Sequence, residues 1–173
     1  MSEPLTNLEI AVVGYPDLAD LKALEAASGR PAEPLYFETC LILQAREDRF
    51  IYIARLDGKA VGFAMLNFKP RYAPFLHLGM PEIQDILVDP AVRRQGIARQ
   101  IIKHCEATAT QHGATQIGIG VGLARSYGPA QRLYASLGYL PDASGAVYER
   151  EQAETGRSYP LDDDFCLMLY KDL

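Results

Sequence analysis

Cysteine pairs, histidine clusters, long apolar runs and a basic surface are all missing from this 173-residue chain. Its three cysteines, Cys40, Cys105 and Cys166, are odd in number and widely spaced among apolar neighbours. That pattern excludes a disulfide framework and reads as small core residues of a reducing compartment, the cytoplasm by default. His77, His104 and His112 show neither zinc spacing nor a nearby cysteine pair, so no metal is expected. No apolar run is long enough for a membrane span. Residues 1–14 (MSEPLTNLEIAVVG) carry Glu3 and Glu9 where a signal peptide needs positive charge, so the start reads as mature protein. A net charge of −5 argues against nucleic-acid binding, which calls for a basic surface. The chain also lacks the GxxxxGK(S/T) loop of nucleoside triphosphatases and the GxSxG elbow of hydrolases. Gly118, Gly120 and Gly122 alternate within a strand pattern and do not complete GxGxxG.

What is present is an ordinary globular composition, 49% hydrophobic and 23% charged, of a length that fits one domain over residues 1–173. Hydrophobic spacing predicts strands at 8–13, 50–56, 60–68, 82–88, 115–122, 145–150 and 164–171. Helices are expected at 17–27, 38–46, 94–112 and 127–137, and a loop at 30–34. Asp57-Gly58 is a hairpin turn dipeptide between two of the strands. Pro70, Pro74 and Pro81 argue for a long aromatic-lined loop over 69–81, with no helix or central strand there. The sum is a mixed α/β domain rich in strands. The alternation of Ile117, Ile119 and Val121 with three glycines leaves one face of their strand bare, open to a helix or a ligand's arm.

Charge is unevenly spread. Residues 142–164 hold seven acids against Arg150 and Arg157, whereas 91–105 hold Arg93, Arg94, Arg99 and Lys103 with no acid. In that basic stretch a strand ending at Val88-Asp89-Pro90 leads through Arg93-Arg94-Gln95-Gly96-Ile97-Ala98 into an amphipathic helix. The first turn of a helix leaves N–H groups unpaired and carries the positive end of the helix dipole. Gly96 and Ala98 keep the approach open, and the arginines add charge, so this turn reads as a pyrophosphate cradle built mainly from main-chain donors.

These residues resemble the GNAT superfamily of N-acetyltransferases, whose central signature is Arg/Gln-x-x-Gly-x-Gly/Ala after a strand ending in a Val-x-Pro-like turn. A second segment, Ala130-Gln131-Arg132-Leu133-Tyr134-Ala135-Ser136-Leu137-Gly138-Tyr139, is similar to the family's Ala-x-x-Leu-Tyr-x-x-x-Gly-Phe/Tyr. The resemblance implies a central, mostly antiparallel twisted sheet of about seven strands with flanking helices, and acetyl-CoA as co-substrate. It implies that Gln95, Gly96, Ile97 and Ala98 offer N–H groups to the CoA pyrophosphate, flanked by Arg93, Arg94 and Arg99. Leu87 and Val88 would face the pantetheine arm and the acetyl carbonyl, and Tyr134 the sulfur. Many members carry Asn seven residues before that tyrosine. This chain has Tyr127, which would stack or hydrogen-bond instead.

Acetyl transfer to an amine needs a neutral nucleophile, donors for the oxyanion and a proton for the leaving thiolate. Tyr134 is the candidate acid, and it also lies on an apolar helical face with Ala130, Leu133 and Leu137. Glu82, Asp85 or a water relay remains open as the base, because on a regular strand the two carboxylates face opposite sides and a bulge would blur this. No cysteine or serine is set up as a nucleophile, so transfer is expected to be direct. The acceptor would be a primary amine of a small molecule or peptide, bounded by 35–37, 72–77 and the acidic 149–164 segment. A non-catalytic acyl-CoA-binding module is the alternative, and exposed C-terminal strands would support a homodimer.

Overall fold

The computed structural model describes residues 7–29 and 32–173. The first six residues, and Arg30 and Pro31 of the expected loop, lie outside the described residues. In chain order the elements are β1 (Leu8–Val12), α1 (Leu18–Ala27), α2 (Tyr36–Gln44), β2 (Arg49–Leu56), β3 (Lys59–Asn67), α3 (Ala73–His77) and β4 (Glu82–Val88). They continue with α4 (Ile97–Gln111), β5 (Gln116–Gly122), α5 (Gly128–Ser136), β6 (Leu140–Tyr148), β7 (Glu151–Gln152) and β8 (Phe165–Asp172). The chain falls into two compact units.

The first unit takes Met1–Phe68 and Ile83–Thr108. Its strands lie in the order β1-β2-β3-β4, with β1–β2 and β2–β3 antiparallel. Residues 51–54 of β2 are all buried, so this strand is covered on both faces. On one face Ile51, Ile53, Phe63, Met65 and Leu87 pack with Leu21 and Leu24 of α1 and Phe37, Cys40 and Leu41 of α2. On the other, Tyr52 meets His104 edge-on at 4.6 Å, and Ile97, Ile101, Ile102 and Cys105 of α4 are buried. Arg55 reaches Asp17 and Asp20 at 2.7 Å each and ties the start of α1 to β2.

The second unit takes Lys69–Glu82 and Ala109–Leu173. Its strands run β5-β8-β6-β7, all antiparallel, over a core of Tyr72, Phe75, Met80, Val147, Cys166 and Met168. The segment expected to be a loop contains the five-residue helix α3, because Pro74 falls in its first turn, where a missing N–H costs nothing. β6 begins at Leu140, ahead of the expected 145, since a register shift between Pro141 and Ala146 lets it resume pairing with β8. Eight strands rather than about seven are present among the described residues, the extra one being the two-residue β7. Its hairpin turn places both Glu149 (φ 50) and Arg150 (φ 71) in the left-handed region, a type I′ geometry without glycine. All three cysteines are buried free thiols.

Candidate active site

In the first unit the loop after β4 is shaped by its own polar groups. Asp89 Oδ1 accepts from the Ala91 N–H at 2.9 Å. The Asp89 N–H donates to Val61 O on β3 at 2.9 Å. Successive N–H groups of a strand point to opposite edges, so that of Val88 points away from β3. Arg93 Nε donates to the Val88 carbonyl at 3.1 Å, which turns this side chain back onto the strand end. Leu87 is buried, and its carbonyl lies so close to β3 that a Cβ on Gly62 would stand 2.6 Å from it.

The backbone then passes through Arg94 (φ 65) and Gly96 (φ 90) on either side of Gln95. Alternation of this kind turns neighbouring N–H groups into one concave nest for an anion. A Cβ at Gly96 would meet no atom within 4 Å, so the space beside this turn is open. The Gly96 carbonyl accepts from the Gln100 N–H at 3.1 Å and so opens α4, whose first-turn N–H groups, Ile97 and Ala98 among them, have no intrahelical partner. The residues present fit a pyrophosphate.

Strand β4 itself is bent. Asp85 has φ 51, a left-handed conformation inside a strand that costs roughly 1–3 kcal/mol and marks a bulge. The bend upsets the alternation expected for the two carboxylates, and their surroundings differ. Asp85 is half-buried and accepts a hydrogen bond from the Tyr36 hydroxyl. Burial first, and the Asp85 charge second, push the Tyr36 phenol well above its ordinary range, so it acts here only as a donor. Arg49, at the start of β2, reaches Gln84 Oε1 at 3.4 Å.

In the second unit Glu82 is fully buried and forms an ion pair with Arg150 at 2.7 Å. The Arg150 guanidinium lies over Gly120, where a Cβ would come within 2.9 Å of it. Phe75 of the short helix α3 covers Gly118 and Tyr127 covers Gly122, so with Arg150 over Gly120 the bare face of β5 is filled by side chains. The Tyr127 hydroxyl donates to Asp163 Oδ1 at 2.6 Å. Tyr134 on α5 is 7% exposed, and burial pushes its phenol up to about 12. Among the described residues its hydroxyl has no hydrogen-bond partner. Tyr72 donates to Asp142 at 2.6 Å, and His77 is exposed at the end of α3. Burial lowers the His104 imidazole, which keeps it neutral at pH 7.

Of the residues expected at the pyrophosphate loop and strand end, Leu87, Val88, Arg93, Arg94, Gln95, Gly96, Ile97, Ala98 and Arg99 all lie in the first unit, from the end of β4 to the first turn of α4. Tyr36, already placed near the acceptor by position, acquires a partner in Asp85. Gly62, Arg49 and Arg150 carry no local signal in the sequence, and only their three-dimensional contacts give them a part.

The model of the acetyltransferase (GNAT) family matches residues 17–139, and the chain belongs to that family. It is an acyltransferase by class. Its fold is shared with an N-acetyltransferase from Staphylococcus aureus Mu50 at 18% identity and TM-score 0.71, covering 96% of this chain and 99% of that one. A ribosomal-protein-alanine N-acetyltransferase from Brucella melitensis gives 18% identity and TM-score 0.71 over 95% and 99% of the two chains. A GNAT family acetyltransferase from Elizabethkingia anophelis with acetyl-CoA bound gives 18% and 0.64 over 96% and 99%. No curated protein sequence matches significantly. Among the described residues no helix is long and apolar enough to cross a membrane, and no group of three or more His, Cys, Asp or Glu could hold a metal ion.

Proposed function

We propose that the whole chain, residues 1–173, is one N-acetyltransferase domain that moves the acetyl group of acetyl-CoA directly to a primary amine of a small molecule or peptide in the cytoplasm. The observation that carries this reading is the nest formed by Arg94 and Gly96 at the head of α4. It offers main-chain N–H groups, open space and flanking arginines, which is what a pyrophosphate needs. The bound acetyl-CoA of the Elizabethkingia anophelis protein and the ribosomal-protein acceptor named for the Brucella melitensis protein support the donor and a peptide amine respectively.

In this reading the N–H groups of Gln95 to Ala98 hold the pyrophosphate, and the Val88 N–H, turned away from β3, stabilises charge on the acetyl oxygen. The acceptor nitrogen forms its bond to the acetyl carbon as the carbon–sulfur bond breaks. Asp85 takes the nitrogen's proton, directly or through one water, at a point where bond formation has made that proton acidic. It is the better placed of the two carboxylates, because Glu82 is fully buried and held by Arg150 while Asp85 is half-buried. Tyr134 is the acid this reading assigns to the departing sulfur, and with its phenol raised to about 12 by burial it stays protonated at any working pH near neutrality.

The test is acetyl-CoA thiol release across amino acids, polyamines, aminoglycosides and peptide N-termini. Acceptor-dependent release that Asp85→Asn lowers by at least tenfold is expected. No acceptor-dependent release, with acetyl-CoA still bound, would move the chain to the acyl-CoA-binding module.

A further inference from the structure

In the first unit, at the start of β2, lies a cation that no carboxylate among the described residues pairs with. The Arg49 guanidinium reaches Cys40 Sγ at 3.4 Å, Met65 Sδ at 3.8 Å and Gln84 Oε1 at 3.4 Å. All three are long contacts to uncharged atoms, since Met65 is a thioether and burial pushes the Cys40 thiol up and keeps it protonated. Its Nε is buried without a hydrogen-bond partner, and among the described residues Arg49 forms no ion pair. Five donors in a planar fork thus meet only soft or neutral acceptors, although a half-buried guanidinium gains most from a bidentate oxyanion.

The position matters as much as the charge. Met65 Sδ is a common centre: the Tyr36 hydroxyl lies 3.6 Å from it, Cys40 Sγ 3.7 Å and Arg49 3.8 Å. Tyr36 in turn donates to Asp85. Through Tyr36 the anion is thus linked to the same sulfur that the cation meets, and among the described residues Arg49 forms no ion pair; both side chains are part-exposed and in the first unit. Had Arg49 served only to neutralise Asp85, the two would be paired. Tyr36 takes the Asp85 oxygen instead, and Arg49 is left aimed elsewhere.

We infer that Arg49 and Asp85 form an acceptor subsite that selects an amine also carrying a carboxylate, with Arg49 gripping the carboxylate and Asp85 facing the amine. The inference rests on the acetyltransferase reading above and names its substrate class. A monoanionic carboxylate suits one guanidinium with an aspartate alongside. A phosphate dianion there would leave a surplus of negative charge in a half-buried place. Losing hydrogen bonds to a charged group typically costs roughly 10- to 100-fold in binding.

The experiment compares kcat/KM for amino acids with that for their own carboxamides, in the wild type, Arg49→Gln and Arg49→Lys. Alanine, methionine, phenylalanine, lysine and glutamate are used with alaninamide and its counterparts, and polyamines and a peptide N-terminus are included. The expected result is a wild-type preference for the carboxylate member of about tenfold or more that collapses towards unity in Arg49→Gln, mainly through KM. Arg49→Lys, which keeps the charge and most of the packing but loses the planar fork, falls between. Equal use of acid and amide by the wild type, or a preference that survives Arg49→Gln, overturns the inference. Turnover confined to polyamines or peptides also overturns it and leaves the acetyltransferase reading standing. No thiol release with any amine, alongside intact acetyl-CoA binding, overturns both.

Discussion

Replacing Arg150 by methionine should unfold the protein at a markedly lower temperature. Glu82 is fully buried, while the Arg150 side chain is 28% exposed and lies 2.7 Å from the carboxylate. Removing one partner of a buried pair generally costs about 3–5 kcal/mol. The partial exposure of Arg150 puts the expectation at the lower end of that range, about 3 kcal/mol. For a chain of this size each kcal/mol moves the midpoint by about 2–4 °C, so Arg150→Met should lower Tm by about 6–12 °C. Some of this is offset by strain relief only if the replacement tolerates φ 71, which is why Arg150→Gly should lose slightly less than Arg150→Met. The double variant Glu82→Met/Arg150→Met removes the buried charge as well, and apolar replacements of such pairs are often neutral. It should regain most of the loss. Thermal unfolding followed by circular dichroism at pH 7 reads all three. A Tm for Arg150→Met within about 2 °C of wild type, or a double variant less stable than the single, would refute the pairing argument. The same double variant separates the carboxylates chemically. If it is stable yet more than a hundredfold slower, Glu82 and not Asp85 takes the proton.

Three further outcomes follow from the geometry. Gly62→Ala places a Cβ 2.6 Å from the Leu87 carbonyl, so the end of β4 must shift; stability should fall by about 1–3 kcal/mol in denaturant titrations and kcat should drop with it. Tyr134→Phe should slow turnover at least tenfold with little change in acetyl-CoA affinity; an unaltered rate with an intact fold would remove its acid role. The Tyr134 phenol is raised from 10.0 to about 12, so its contribution to stability is complete below pH 10 and is lost as pH rises towards 12. Between pH 9 and pH 11 the wild type should lose about 1.4 kcal/mol more than Tyr134→Phe, and parallel losses would contradict that burial effect.

How much of this was legible in the sequence depends on how local the cause is. The Val88-Asp89-Pro90 turn and the residues 93–98 can be read directly, because strand end, cations, glycine and helix start are contiguous. Strand positions in the first half also match closely, since Asp57-Gly58 fixes the β2–β3 hairpin. The α3 turn stays hidden in the sequence because a proline among prolines reads as a helix breaker, although Pro74 occupies the first turn. The register shift in β6 depends on Ala143 and Gly145 at positive φ, which no alternation pattern reveals. The division of labour between the two carboxylates lay beyond reach for another reason. Tyr36 and Asp85 are 49 residues apart, and Glu82 meets an arginine carried by a hairpin near the far end of the chain. The bulge at Asp85 is not announced by the local pattern: aspartate tolerates the left-handed region better than most residues, but one aspartate within an apolar run does not mark it.

The central claim is that the turn through Arg94 and Gly96 holds the pyrophosphate of acetyl-CoA, and calorimetric titration of wild type and Gly96→Glu with acetyl-CoA and with acetyl-pantetheine tests it most directly. A glutamate there would strain the backbone at φ 90 and bring a negative charge to the turn that holds the anion. The account predicts that acetyl-CoA binding is lost in Gly96→Glu while the far weaker acetyl-pantetheine, which has no pyrophosphate, binds both proteins alike. Equal acetyl-CoA affinity in the two proteins, with the variant folded by circular dichroism, would contradict it.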